Sequence, residues 1–404
     1  VSATNGKTTT SRMLAACLRA DGRRLVANPA GANLLSGVAT ALVQDSGARP
    51  GAECGLFEVD EAALPEVARQ TAPRAVVLMN LFRDQLDRYG ELETIAARWA
   101  AMVDALPGAT RVVLNADDPA VADLAPGRAG VLRVGLDDPG LALPALPHAA
   151  DSTRCRRCDA PLAYDAVYLG HLGRWRCPAC GLARPEPDVR VVRAELDGVH
   201  GSRLALQTPE GPLELALTLP GVHNAYNAAA AVAGALAMGV PTARIAPAVS
   251  GSQAAFGRAE RMRLEGREVV LLLAKNPTGA NENVRTVLLD PGDLHLLVAL
   301  NDRTADGRDV SWVWDVDYEP LLPRIATLTL CGDRAFDLAL RFRYAGLAAE
   351  RIRVVPDPAA ALDDALRVTP AGGTLYLLPT YTAMHELRHV LVRRGAAEDF
   401  WRDG

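Results

Sequence analysis

Apolar stretches of strand length alternate with segments of helical spacing through most of the chain, which is the pattern of an α/β architecture with a largely parallel sheet. Ala75–Asn80 and Arg111–Asn115 read as buried strands, and Glu91–Leu106 between them has helical spacing. The Ala-rich run Ala225–Met238 predicts a helix whose small side chains allow close packing, and alternating positions from Val189 to Leu219 predict β structure. Residues 126–152 are rich in Pro, Gly and Asp; with the cysteine-bearing segment after them and Pro185–Asp188 they read as an insertion bounded by loops. A second domain is expected from near Gly257. Its strands lie around Val269, Leu296, Ile325, Ile352 and Leu375, and its helices over Arg334–Tyr344, Pro358–Leu366 and Thr382–Arg393. The expected division is therefore residues 1–254, carrying an insertion at about 151–186, followed by residues 257–404.

Composition narrows the function classes. At 404 residues the chain is long enough for two or three domains with their own cores. A formal net charge of −5 argues against a generally basic nucleic-acid binder. The longest apolar runs, Val269–Ala274 and Leu294–Leu300, fall far short of the roughly 18 residues a membrane helix needs. No secretory leader pattern opens the sequence, so a cytoplasmic location is expected. Among the 43 basic residues only Lys7 and Lys275 are lysines, and both fall in motifs where a compact ammonium does what a planar guanidinium cannot.

Ser2-Ala3-Thr4-Asn5-Gly6-Lys7-Thr8-Thr9-Thr10 precedes a helical pattern with apolar Met13, Leu14, Cys17 and Leu18. Backbone N–H groups at a helix N-terminus, a lysine and a hydroxyl are the parts that hold nucleotide phosphates and Mg²⁺. Gly6 allows close backbone approach, Lys7 reaches the β/γ-phosphates and Thr8 ligates the metal. The first glycine of the usual eight-residue pattern is absent, and a Thr-rich N-cap with a surface lysine is the plainer reading. A strand should feed this loop; only Val1 to Ala3 are there to form it, so the natural protein is expected to continue upstream. Glu58 ends a short apolar strand where a carboxylate can face Mg²⁺, while Asp60 and Glu61 suit an acidic helix start. Asn80, Asp84 and Asp87 follow a buried strand, in the crevice where open α/β sheets bind ligands; the two aspartates equally suit a helix cap.

Cys155-x-x-Cys158 and Cys177-x-x-Cys180 are separated by 18 residues, the spacing of a closed four-thiolate zinc site with a structural role. Disulfides are disfavoured in a reducing cytosol. Arg154, Arg156, Arg157, Arg174 and Arg176 crowd this ribbon, which leaves open a contact with nucleic acid or an anionic substrate. Cys17, Cys54 and Cys331 read as core thiols.

These segments together resemble the Mur ligase superfamily, ATP-dependent enzymes that activate a carboxylate as an acyl-phosphate and join it to an amine. The resemblance rests on Thr4–Thr9, Glu58, Asn80 with Asp84 and Asp87, Gly221-Val222-His223-Asn224-Ala225-Tyr226-Asn227, Gly257-Arg258-Ala259-Glu260 and Ala274-Lys275-Asn276-Pro277, and covers nearly the whole chain. It implies a Mur ligase-type central ATPase domain followed by a C-terminal Rossmann-like α/β domain. It also implies ATP and Mg²⁺ as cofactors, a nucleotide site of Thr4, Asn5, Gly6, Lys7, Thr8, Thr9, Asn80, Asn224, Asn227, Arg258 and Lys275, catalytic parts for Lys7 and Glu58, and Mg²⁺ on Thr8 and Glu58. Asn224 and Asn227 inherit the place against adenine, and Arg258 approaches from the second domain.

Departures narrow the match. Gln85 stands where those ligases place a metal-binding histidine, no lysine remains for a carbamylated metal support, and the usual UDP-binding domain is missing. A zinc ribbon inserted in the central domain, with the segment Leu300–Glu319, is similar to the MurT family, the synthetase halves of lipid II isoglutaminyl synthases. That likeness implies amidation of the α-carboxylate of D-glutamate in lipid II at the inner face of the membrane, with ammonia from a GatD-like glutaminase partner. Consistently, no cysteine here sits in a nucleophile turn of the kind glutaminase chemistry needs. Asp309 then matches the residue proposed to complete the partner's Cys-His pair, with a loop or N-cap role as the plainer reading and Asp302, Asp306, Asp315 and Asp317 as neighbours of the same type. An amino-acid-adding ligase of the Mur or folylpolyglutamate type is the alternative, and a nucleotide-regulated nucleic-acid module a more distant one.

Overall fold

The structure is a computed structural model and describes residues 1–29, 31–46, 51–83, 92–252 and 258–397. The chain divides into two compact units, residues 1–196, 201–218 and 222–253 in the first, and 197–200, 219–221 and 254–404 in the second.

The first unit runs α1 (Lys7–Ala20), β1 (Leu25–Ala27), α2 (Leu35–Asp45), β2 (Cys54–Leu56), α3 (Leu64–Thr71), β3 (Ala75–Leu78), α4 (Leu92–Ala105), β4 (Arg111–Asn115) and β5 (Val131–Leu136). It continues with β6 (Ala163–Leu169), β7 (Leu172–Arg176), β8 (Val189–Asp197), β9 (Gly201–Thr208), β10 (Gly211–Leu217), α5 (Val222–Ala237) and α6 (Thr242–Ser250). Its main sheet has the order β10-β9-β8-β5-β4-β3, with β3, β4, β5 and β8 parallel. The first residues of the chain extend this sheet. Ser2 N–H donates to Val77 O and Ser2 O accepts from Met79 N–H, while Val1 bonds Phe57 O and Val59 N–H on its other side. Residues 1–4 thus supply the strand that the phosphate-binding motif requires, and they join β3 to the small β1-β2 sheet.

The Pro- and Gly-rich stretch 126–152 is not all loop. Val131–Leu136 is a strand within the main sheet, between β4 and β8. Its short flanks, set by Gly127 and Gly130 at φ +70° and +73°, hide it in the composition. Helix α5 is buried along most of its length, and a Cβ on Gly234 would stand 3.2–3.4 Å from Leu14 and Val77. Small residues therefore let α5 seat against α1 and β3.

The second unit runs β11 (Arg258–Leu264), β12 (Arg267–Leu272), α7 (Pro277–Leu289), β13 (Leu294–Ala299), β14 (Ile325–Cys331), α8 (Ala335–Tyr344), β15 (Ile352–Val354), α9 (Pro358–Val368), β16 (Thr374–Pro379) and α10 (Tyr381–Arg393). Its sheet, β11-β12-β16-β13-β14-β15, is parallel except for β11. Alternate residues feed two cores: Val270, Leu272, Leu296 and Val298 face one, Val269, Leu271 and Leu297 the other. A sheet covered on both faces needs such continuous apolar strands. The α7 start is capped by Asn276, whose Oδ1 accepts Gly279 N–H at 2.9 Å, with Pro277 in the first turn.

Candidate functional site

The loop after the first strand is pinned on both sides. Asn80 Oδ1 accepts Asn5 N–H at 2.9 Å and its amide donates to Asn5 O at 3.0 Å. Thr4 Oγ1 accepts Phe82 N–H at 3.0 Å. Gly6, at φ +91°, turns the chain into α1 in the left-handed region, where L side chains are strained. A Cβ there would lie 2.0 Å from Asn227 Oδ1, so glycine is required by space as well as conformation. The N-cap, Gly6, has no side chain with which to cap the first turn of α1, and no acid sits in that turn. Its leading N–H groups and the dipole are arranged as an anion site requires. The residues present thus fit nucleotide phosphates.

Lys7 Nζ donates to Ala3 O and pairs with Glu61 Oε2 at 2.9 Å, each side chain 12% exposed. Burial pushes the Glu61 carboxyl above its usual range, against the pull of Lys7. Sequence pattern assigned Glu61 only to a helix start; the partner of Lys7 is visible only once β2 and the phosphate loop lie side by side. Asp60 does not cap α3, whose N-cap is Ala63; its Oδ1 accepts Ala62 N–H at 3.0 Å in the turn that precedes the helix. Glu58 is buried, at 7% exposure, and its carboxylate takes no hydrogen bond from the described residues. It follows β2, whose continuation pairs with Val1 through Val59 N–H, while Thr8 lies in the first turn of α1; a carboxylate and a hydroxyl are both oxygen donors of the kind Mg²⁺ takes.

Asn224 and Asn227 lie in the first two turns of α5, linked by a 2.9 Å bond from Asn227 Nδ2 to Asn224 Oδ1. Asn227 stands against Gly6, so the segment assigned to adenine touches the phosphate loop. Asp84, Gln85 and Asp87 lie outside the described residues. Asp117 and Asp118, at the carboxyl end of β4, are fully buried. Two adjacent carboxylates after a buried strand, Asn115-Ala116-Asp117-Asp118, were the available signal for them.

The four cysteines come together as the spacing predicts, with all four Sγ atoms within 4.8 Å of one another and the closest pairs at 3.4 and 3.5 Å. Tetrahedral Zn²⁺ with bonds of about 2.3 Å requires separations of this order. The two knuckles are alike: Asp159 N–H bonds Cys155 O, Gly181 N–H bonds Cys177 O, and both Asp159 and Gly181 have positive φ. Backbone N–H groups at the knuckles, that of Cys180 foremost, pull the Cys177 thiol below its usual range, while its neighbours Cys158 and Cys180 are pushed above theirs, as expected of thiols packed this closely. Each arginine of the ribbon finds an internal partner. Arg154 pairs with Asp159, Arg157 with Asp123, Arg174 with Asp137 and Arg176 with Asp165, while Arg156 donates to Ala120 O. Burial pushes the Cys17 and Cys331 thiols up to about 12, as core thiols; Cys54 is only half-buried.

In the second unit, Lys275 is exposed before α7 with its Nζ 5.3 Å from the centre of the Tyr381 ring. Arg258 opens β11, opposite Leu272, and its side chain lies outside the described residues. The aspartates of 302–317 separate by environment. Asp302 pairs with Arg334 at 3.1 Å, Asp306 is buried and accepts Thr382 N–H, and Asp317 exchanges bonds with Asn281. Asp309 is exposed, and Ser311, donating at 2.8 Å, holds its carboxyl below the usual range.

Comparison with known proteins gives matches to two family models, the Mur ligase middle domain over residues 1–149 and the MurT ligase C-terminal domain over residues 273–384. A lipid II isoglutaminyl synthase (glutamine-hydrolyzing) subunit MurT from Streptococcus pneumoniae is 32% identical over 98% of this chain and 87% of its own length. The subunit of the same name from Staphylococcus aureus is 30% identical over 85% of this chain and 76% of its own. Among solved structures, a pseudomurein peptide ligase type C from Methanothermus fervidus superposes with a TM-score of 0.76 at 20% identity, over 97% of this chain and 77% of that one.

Proposed function

This chain belongs to the MurT family of Mur-type ATP-dependent ligases, and from that premise we propose that it is the synthetase subunit of a glutamine-hydrolysing lipid II isoglutaminyl synthase. Its substrate is the α-carboxylate of D-glutamate in lipid II. A carboxylate oxygen attacks the γ-phosphorus of ATP, the bond to ADP breaks, and an acyl-phosphate forms. Ammonia then adds to the acyl carbon, phosphate leaves, and loss of a proton gives the amide. The α1 N-terminus, Lys7 and the Asn5–Asn80 pair hold the phosphates, and Asn224 and Asn227 hold the base; Arg258 and Lys275, in the second unit, are the further residues that the family resemblance assigns to the nucleotide. Thr8 and Glu58 would hold Mg²⁺, which supplies charge neutralisation at the transferring phosphoryl group. The cysteine cluster holds a structural Zn²⁺ with no open position.

Ammonia comes from a GatD-like partner chain. The observation that carries this reading is Asp309: within a C-terminal segment of MurT type it is an exposed carboxylate with no cation partner among the described residues, while Asp302, Asp306 and Asp317 are engaged internally. Orienting a partner's imidazole and stabilising its cation needs such a group. Five residues on, Trp314 is 44% exposed and packs edge-on against Tyr344 of α8, which also exposes Phe336 and Leu340 at helical spacing. Such a patch, close to Asp309 in sequence through Trp314, suits a protein partner. Among the described residues no helix is long and apolar enough to cross a membrane. Because lipid II is lipid-linked, the reading puts the reaction at the inner face of the membrane. The test is to purify the chain together with a GatD-like glutaminase and measure glutamine-dependent ATP hydrolysis on lipid II. Amidated lipid II is the expected product; ATP hydrolysis indifferent to glutamine and lipid II overturns the reading.

A further inference from the structure

The ribbon does more than fold on itself, because its contacts converge on the two buried aspartates that end β4. Asp117 Oδ1 accepts Arg184 Nε at 2.6 Å, where Arg184 lies on the segment leaving the ribbon and also donates to Leu136 O at 2.9 Å and Asp137 at 3.1 Å. Asp117 Oδ2 accepts Leu136 N–H at 2.9 Å and the Tyr226 hydroxyl at 2.6 Å. The ribbon strand β7 adds two backbone links, Gly173 N–H to Asp117 O at 3.0 Å and the Trp175 indole to Ala116 O at 3.1 Å. At the hairpin tip, fully buried His171 sets Nε2 3.5 Å from Asp118 Oδ1, and Asp118 Oδ2 in turn accepts Leu81 N–H at 2.9 Å, one residue after Asn80.

Tyr226 immediately precedes Asn227, whose Oδ1 fills the space denied to a Cβ on Gly6. A hydroxyl held by a buried carboxylate therefore fixes the rotation of α5 at the turn that faces the phosphate loop. Burial and the charge of Asp117 keep the Tyr226 phenol far above its usual value, so it remains a donor throughout the neutral range. Burial also pushes the Asp117 carboxyl up, and Arg184, Tyr226 and the Leu136 N–H oppose it. Removing either side-chain donor leaves a buried charge short of a partner, and α5 must shift or admit water to compensate.

We propose that Asp117, clasped by Arg184 and Tyr226, is a positioning residue through which the zinc ribbon sets the pose of α5 over the phosphate loop, so that the integrity of the ribbon controls nucleotide affinity. The inference rests on the reading of that loop as the ATP site. It gives the inserted ribbon a part in binding without giving it any contact with substrate.

The test uses the full chain, calorimetric titration with Mg·ADP, and metal content and thermal melting measured on each sample. Tyr226→Phe and Arg184→Gln should each weaken Mg·ADP about tenfold, the factor for one hydrogen bond to a charged group, while zinc content stays at the wild-type value. The double variant should lose less than the product of the two, because both act on one carboxylate. Stripping zinc from the wild type with a chelator, at a temperature where the near-UV spectrum persists, should weaken binding comparably and add little in Arg184→Gln. Variants that melt earlier yet bind Mg·ADP as the wild type does would reduce the network to a stability role and overturn the inference alone. Wild-type chain that binds no Mg·ADP would overturn the ATP reading and this inference with it. Should Tyr226→Phe fail to fold, Arg184→Gln and the chelator series decide by the same criterion.

Discussion

Substituting alanine at Gly6 and, separately, at Gly22 isolates what the phosphate loop demands. Both glycines lie in the left-handed region, at φ +91° and +84°. Gly22 has nothing within 4 Å of the position a Cβ would take, so Gly22→Ala carries only the backbone cost, about 1–2 kcal/mol. At Gly6 the new Cβ meets Asn227 Oδ1 at 2.0 Å and Met79 Cε at 3.2 Å. Asn227 is buried and tied to Asn224, so it can yield only by breaking that bond and moving the start of α5. Overpacking of this kind adds about 1–3 kcal/mol. Gly6→Ala should therefore destabilise the chain by roughly 2–5 kcal/mol, the sum of those two ranges, and should also abolish measurable Mg·ADP binding. Gly22→Ala should keep wild-type affinity. Urea unfolding and calorimetric titration on both variants check this. Equal destabilisation of the two, with nucleotide affinity intact in Gly6→Ala, would refute the reasoning that Asn227 and the loop share one tightly filled site.

Other outcomes follow from the same geometry. Lys7→Arg should lose ammonium-driven ATP turnover despite keeping its charge, because a planar guanidinium cannot occupy the narrow place between Ala3 O and Glu61; full activity in that variant would remove Lys7 from the phosphate site. Cys177→Ser should lose the single zinc per chain by elemental analysis and melt earlier, and a wild type indifferent to a strong chelator would contradict a structural metal. Glu66 on α3 is held down to about 2 by Arg69 and Gln70, so its contribution is complete above its ordinary value near 4.5 and is lost as pH falls from there toward 2. The melting difference between wild type and Glu66→Gln should shrink across that window; a constant difference would contradict the sign. Asp309→Asn should assemble with the glutaminase, lose glutamine-driven amidation and keep amidation driven by added ammonium, and equal loss of both would place Asp309 in the synthetase site.

What the sequence made legible was chemistry confined to a few consecutive residues. Gly6-Lys7-Thr8 after a strand, Asn224-x-x-Asn227 at a helix start and two Cys-x-x-Cys knuckles each have a local geometric cause, and the structure brings the first two together at Gly6 and Asn227. The α/β alternation was equally readable, because sheets covered on both faces require long apolar strands. What escaped depends on contacts between distant segments. Val131–Leu136 is a central strand whose neighbours in sequence resemble loop, and only its pairing with β4 and β8 reveals it. Glu61 looks like any acid before a helix until β2 lies beside the first strand. The ribbon's arginines look like a basic patch until Asp123, Asp137, Asp159 and Asp165 are seen to face them. Asp117 and Tyr226 are 109 positions apart, a separation no local pattern spans.

On the proposed function, this chain itself joins ammonia to an activated carboxylate at the expense of ATP. The most direct test of this gives the purified chain ATP, Mg²⁺, lipid II and ¹⁵N-labelled ammonium, without any glutaminase, and follows the lipid product by mass spectrometry with ADP release alongside. The account predicts one labelled amide per ADP formed, with no lengthening of the peptide. ATP turnover that requires an added amino acid and yields lipid II extended by that residue would contradict it.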